Sequence, residues 1–149
     1  MKMVINFKLK NMKQILLLAV LALGINASAQ ITEVATPEFI DVYRGTMGVQ
    51  NISKSMNPDS TWSYYLTYKD MQYQQITVFE SLVFSSKEDI ISFFEIIKEV
   101  VSTKLDKTIE FNGQTVQFLY ILGKAYMYVG SAQHTWTSKA ADKCIEALQ

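Results

Sequence analysis

Cys144, His134 and Asp142 supply the residue types of a covalent catalyst: a thiol, an imidazole to deprotonate it and a carboxylate to orient the ring. Thiolate attack needs the three in mutual hydrogen-bond reach, with the imidazole held in one tautomer. The spacing argues otherwise, because Cys144 shares a helical stripe with Ala141, Ile145 and Leu148 while Asp142 falls on a different face. That is the pattern of a small core residue. A second arrangement is a carboxylate pair, in which Glu80 shares strand parity with Ile76, Val78, Leu82 and Phe84, and Asp70 or Glu110 lies beside it on the sheet. An acid on an apolar face has a raised pKa and can act as a general acid. A strand edge or bulge that turns Glu80 to water explains the pattern more simply.

Metal and cofactor chemistry find no support. The chain has one histidine and one cysteine, whereas a zinc site draws on several His, Cys or carboxylate ligands. A calcium loop, a dinucleotide fingerprint, a P-loop and an H-E-x-x-H helix are all missing. The expectation is no metal and no cofactor.

Aromatic residues make the stronger case. The chain has eight tyrosines, all beyond its first 42 residues, and Tyr64, Tyr65, Tyr68, Tyr73, Tyr120, Tyr126 and Tyr128 fall in predicted strands. Strands favour tyrosine for packing alone. Helices cover only one face of a sheet, however, so some rings must stay on the open one, and Tyr65, set among Ser63, Thr67 and Lys69, is the first of them. The candidate ligand-binding residues are Tyr65, Tyr73, Tyr126 and Tyr128. Tyrosine pairs a flat apolar ring with a polar tip, which suits a glycan or protein partner.

What positions these residues depends on where the folded part begins. Lys2, Lys8, Lys10 and Lys13 precede the apolar run Ile15–Ile25, and Ala27-Ser28-Ala29 follows in A-x-A order. These are the parts of a secretory signal peptide, and the run is too short for the roughly 20 residues of a membrane span. Cleavage after Ala29 is expected to remove residues 1–29 and leave 30–149 as one small domain, with no stable membrane insertion. The "ASAQ" ending resembles signals of Gram-negative bacteria of the Bacteroidota type, a resemblance confined to the leader. It implies a periplasmic or secreted protein. Gln30 in place of a cysteine argues against lipid anchoring, and a lone cysteine excludes an internal disulfide framework.

Of 14 basic and 14 acidic residues, the leader holds four of the basic ones, which leaves ten against fourteen and a formal charge of −4. Arg44 is the only arginine, and the bases are scattered. Phosphate neutralisation needs clustered Lys and Arg, so nucleic acid is not an expected partner.

The periodicity gives the elements. The segment "ITEVATPEFIDVYRG" has no clean period and reads as a lead-in that contains at most a short strand or turn. A strand is expected over Thr46–Ile52, then a reversal at Asn57-Pro58-Asp59, then the alternating strand "TWSYYLTYK" and the strand "QITVFESLVFSS". The period changes to helical where Ile90, Phe93, Phe94, Ile97, Val100 and Val101 share a face, with Ser85 and Glu88 or Ser86 and Asp89 as a capping box. Asn112-Gly113 marks a hairpin, Gly123-Lys124 another reversal into "AYMYVG", and a second helix follows, capped by Thr137 or Ser138. The predicted class is α+β: an antiparallel sheet of about five or six strands, with a long helix (about 86–105) and a C-terminal helix (about 138–148) on one face. Helices opened by "FSSKED" and "WTSKAAD" hint at duplication, although capping chemistry alone selects such residues. The expected function is an exported binding or accessory module that uses the open aromatic face. The alternative is a small exported hydrolase that uses Glu80 or the Cys144 and His134 pair.

Overall fold

Alternation of bulky apolar residues with small polar ones runs through most of this chain, and each such run forms a strand with one buried face. The computed structural model describes residues 36–73 and 75–149; the expected leader and cleavage site lie outside them. Four strands come first: β1 (Phe39–Arg44), β2 (Gln50–Met56), β3 (Trp62–Lys69) and β4 (Phe79–Phe84). Helix α1 (Lys87–Thr103) follows, then β5 (Lys107–Phe111), β6 (Gln114–Ile121), β7 (Lys124–Val129), β8 (Ala132–Trp136) and helix α2 (Ser138–Leu148). Each group of four is an antiparallel meander in chain order, so the protein is α+β with two four-stranded sheets and two helices.

The expected single sheet of five or six strands is therefore corrected to two sheets of four. Both additional strands lack a clean period for a local reason. In β1 the pairing shifts between Asp41 and Tyr43, and a bulge of this kind breaks the two-residue repeat. In β8 the inward residues are Ala132, His134 and Trp136, and a polar histidine in the middle hides the apolar parity. The strand expected over Thr46–Ile52 starts later, because Thr46–Gly48 is a 3-10 turn in which Met47 has φ 59°. Ile76 is exposed and precedes β4 instead of belonging to it.

Both helices form where their caps and stripes place them. Ser86 Oγ accepts the Asp89 N–H at 3.1 Å, Glu88 and Asp89 lie in the first turn where the helix dipole favours acids, and Lys104 ends α1 in the left-handed conformation at φ 60°. Thr137 caps α2 by accepting the Ala140 N–H at 3.2 Å. The Asn112-Gly113 turn has positive φ at both residues, as a tight primed hairpin requires. The next reversal sits one residue earlier than expected, at Leu122-Gly123, with Leu122 exposed and also at positive φ.

Helix α1 packs on β6, β7 and β4, and α2 packs on α1 and β1, so one core fills the space between the helices and the inner faces of both sheets. An aromatic string crosses it. Phe84 of β4 meets Phe93 at 5.3 Å, Phe93 meets Phe94 at 6.0 Å, and Phe94 meets Trp136 of β8 at 5.5 Å. From Trp136 the string continues through His134, at 4.9 Å, to Tyr68 of β3 at 5.5 Å. Polar bonds join the sheets at their ends: one Asp70 carboxylate oxygen accepts the N–H groups of Gln72 and Gln133, each at 2.9 Å, and Met71 N–H donates to the Gln133 carbonyl at 2.7 Å. Among the described residues, no helix is long and apolar enough to cross a membrane.

Candidate functional site

Strand parity decides which tyrosines are available. On β7, Ala125 and Met127 are buried, so Lys124, Tyr126 and Tyr128 occupy the opposite face, away from the helices. Tyr126 lies between Leu119 and Thr135, and Tyr128 between Gln117 and Gln133, on the neighbouring strands. Two residues of strand set their Cα atoms about 7 Å apart. Both rings are half-buried, flanked by side-chain amides, a hydroxyl and an aliphatic residue.

Tyr65 occupies the same outward face of the first sheet, opposite Ser53 on β2 and Val83 on β4. Its ring meets the exposed Phe39 edge-on at 5.0 Å, which makes a smaller aromatic patch. Tyr73 is corrected. It lies outside the strands, in the irregular segment between β3 and β4, and is exposed. The four candidates thus fall in three places, and only Tyr126 and Tyr128 share one surface.

The residues of the hydrolase alternative have other partners. Asp142 pairs with Lys98 of α1 at 3.1 Å, at the surface. Cys144 is fully buried, and burial pushes its thiol up to about 12, which leaves almost no thiolate at neutral pH. His134 is fully buried beside Trp136 and Tyr68. Its Nδ1–H donates to the Lys69 carbonyl at 2.8 Å, since a carbonyl can only accept, and Nε2 has no partner among the described residues. Asp70, one candidate companion of Glu80, is 2 % exposed and committed to backbone N–H groups of Gln72 and Gln133. Glu110 accepts the Thr115 hydroxyl at 2.8 Å. Glu80 itself stands opposite Tyr68, exposed, on the wall of a cleft of about 540 Å³ between the two sheets. Among the described residues, no three His, Cys, Asp or Glu side chains converge as a metal cage needs.

Burial depresses the His134 pKa, against the opposing pull of the Lys69 carbonyl and the Asp70 charge. In the unfolded chain the imidazole takes up a proton near pH 6.5, and the folded protein binds it only at lower pH. His134 thus contributes stability above about pH 6.5 that is lost as the pH falls, with a slope of at most about 1.4 kcal/mol per pH unit. Urea midpoints measured from pH 8 to pH 5 should show this fall. His134→Gln, which keeps a donor for Lys69, should flatten it; an unchanged slope in that variant contradicts the assignment.

Sequence reasoning missed Tyr68, Gln114 and Ser131 as cleft residues. Tyr68 and Gln114 sit at strand ends and Ser131 in the turn between β7 and β8, places that meet across two sheets and cannot be read without the sheet partition. Comparison of the chain with protein-family models, with curated proteins and with solved structures found no match to any of them.

Proposed function

We propose that this protein is a small exported binding module that holds an extended glycan chain on the outward face of its second sheet. One observation carries this reading: Tyr126 and Tyr128 stand side by side on that face between Gln117, Leu119, Gln133 and Thr135, while the helices pack on the inner side. Neighbouring rings on a rigid strand offer apolar platforms that lose little side-chain entropy on binding. The adjacent amides and the hydroxyl supply the directional bonds that sugar hydroxyls need. Scattered bases and a net negative charge in residues 30–149 point to a ligand that is not a polyanion.

Affinity electrophoresis through gels that contain soluble neutral polysaccharides tests the reading. Retardation by at least one of them is expected, and Tyr128→Ala should weaken it by about 1 kcal/mol or more, roughly fivefold. Retardation that is identical in wild type and variant, or absent with every polysaccharide, counts against it. Export rests on the leader alone. Intact-mass measurement on protein from the producing cell should find a chain that begins at Gln30, and a mass that retains Ile15–Ile25 contradicts export with cleavage.

A further inference from the structure

Separate from the outward tyrosines, the cleft between the sheets has chemistry of its own. It forms where the inner faces run past the core: Tyr68 and Glu80 come from the paired ends of β3 and β4, and Gln114, Val129 and Ala132 from the ends of β6, β7 and β8. The cleft volume is about 540 Å³, within the ordinary range of small-molecule sites.

Two features make it a built site. Tyr68 is 1 % exposed and nonetheless lines the cleft, so a buried phenol borders it. Burial first, then the charges of Glu80 and Asp70, push the phenol up to about 12, so the hydroxyl keeps its proton and can both donate and accept. Glu80 is the second feature. Among the described residues it is the one charged group on the cleft wall, and it forms no ion pair there. Asp70 adds a second negative charge beside Tyr68, and among the described residues no lysine or arginine lines the cleft.

Val129, Gly130 and Ala132 complete a wall of small residues that an aliphatic stem can lie against. From Glu80, the Tyr68 hydroxyl and this wall, we infer that the cleft binds an alkylammonium group, carried either by a free diamine or by a lysine side chain of a partner protein. The ammonium pairs with Glu80 and donates to the Tyr68 oxygen, and the stem displaces water from the small-residue wall. An anionic ligand meets the Glu80 charge and no positive one among the described lining residues. A sugar ring finds no exposed aromatic face here, which separates this site from the outward tyrosines.

Calorimetric titration of the purified protein with 1,5-diaminopentane, with Nα-acetyl-lysine amide and with neutral 1,5-pentanediol tests the assignment. Saturable binding of at least one amine, with none of the diol, is the expected result. If only the lysine amide binds, the ligand is a protein side chain; if only the diamine binds, it is a free amine; equal binding supports the shared chemistry. Glu80→Gln should weaken the binding at least tenfold without changing the melting temperature, because Glu80 is exposed. Tyr68→Phe removes only the hydroxyl and should weaken it several-fold. Absence of binding by both amines, binding of the diol equal to that of the amines, or undiminished binding in a folded Glu80→Gln overturns the inference. None of these outcomes bears on the glycan reading, whose residues lie elsewhere.

Discussion

Phe94→Ala is expected to lower the unfolding free energy by about 3–5 kcal/mol. The ring is fully buried and lies in the middle of the aromatic string, 6.0 Å from Phe93 and 5.5 Å from Trp136. Its removal leaves a cavity where α1 meets the second sheet, and the neighbours on strands cannot close it without breaking register. The loss includes both transfer free energy and unfilled volume. Urea unfolding followed by circular dichroism checks the value. A loss below about 1 kcal/mol means that α1 is not seated on the second sheet.

Leu66→Ala and Tyr65→Ala, at adjacent positions of β3, should differ sharply. Leu66 is fully buried between Ile52 and Leu82, and its truncation should cost about 2–5 kcal/mol. Tyr65 faces the other way, and its ring meets the exposed Phe39 edge-on. An edge-on aromatic pair contributes about 0.5–1.5 kcal/mol, so Tyr65→Ala should cost no more than that. Comparable losses at both sites contradict the assignment of an inner and an outer face.

The contrast also marks what the sequence made legible. Both helices could be read because stripe and cap agree: Ile90, Phe93, Phe94 and Ile97 recur at helical spacing directly after a Ser86 that caps Asp89. The strand Trp62–Lys69 was equally plain from its alternation. The division into two sheets was not, since local period does not encode which strands pair. It emerges only when the unremarkable strands β1 and β8 are counted, one bulged and one carrying a buried histidine.

Of the site, Tyr126 and Tyr128 follow from parity, because a clean strand sends alternate residues to opposite faces. Tyr73 misled, because aromatic content suggested a strand where the backbone is irregular. Glu80 shares parity with the buried Leu82 and Phe84 of its strand. A bulge is excluded, since β3 and β4 pair without a shift, but β4 is an edge strand of its sheet, and Glu80 is exposed on it. The inner face at that end opens into the cleft, a consequence of how two sheets meet that no single segment contains. Asp70 is similar: its carboxylate holds Gln72 locally, in an Asx turn, and Gln133 across the sheets. Only the first bond is visible in the sequence.

The central claim is that recognition takes place on the outward face of the second sheet. Nuclear magnetic resonance mapping on isotope-labelled protein tests it most directly, with the oligosaccharide of whichever polysaccharide retards the protein. The account predicts shift changes concentrated at Gln117, Leu119, Tyr126, Tyr128, Gln133 and Thr135, with Val116, Phe118, Met127 and Trp136 nearly unaffected. Changes centred on the cleft residues Tyr68, Glu80 and Gln114, or spread through the core without a surface focus, would contradict it.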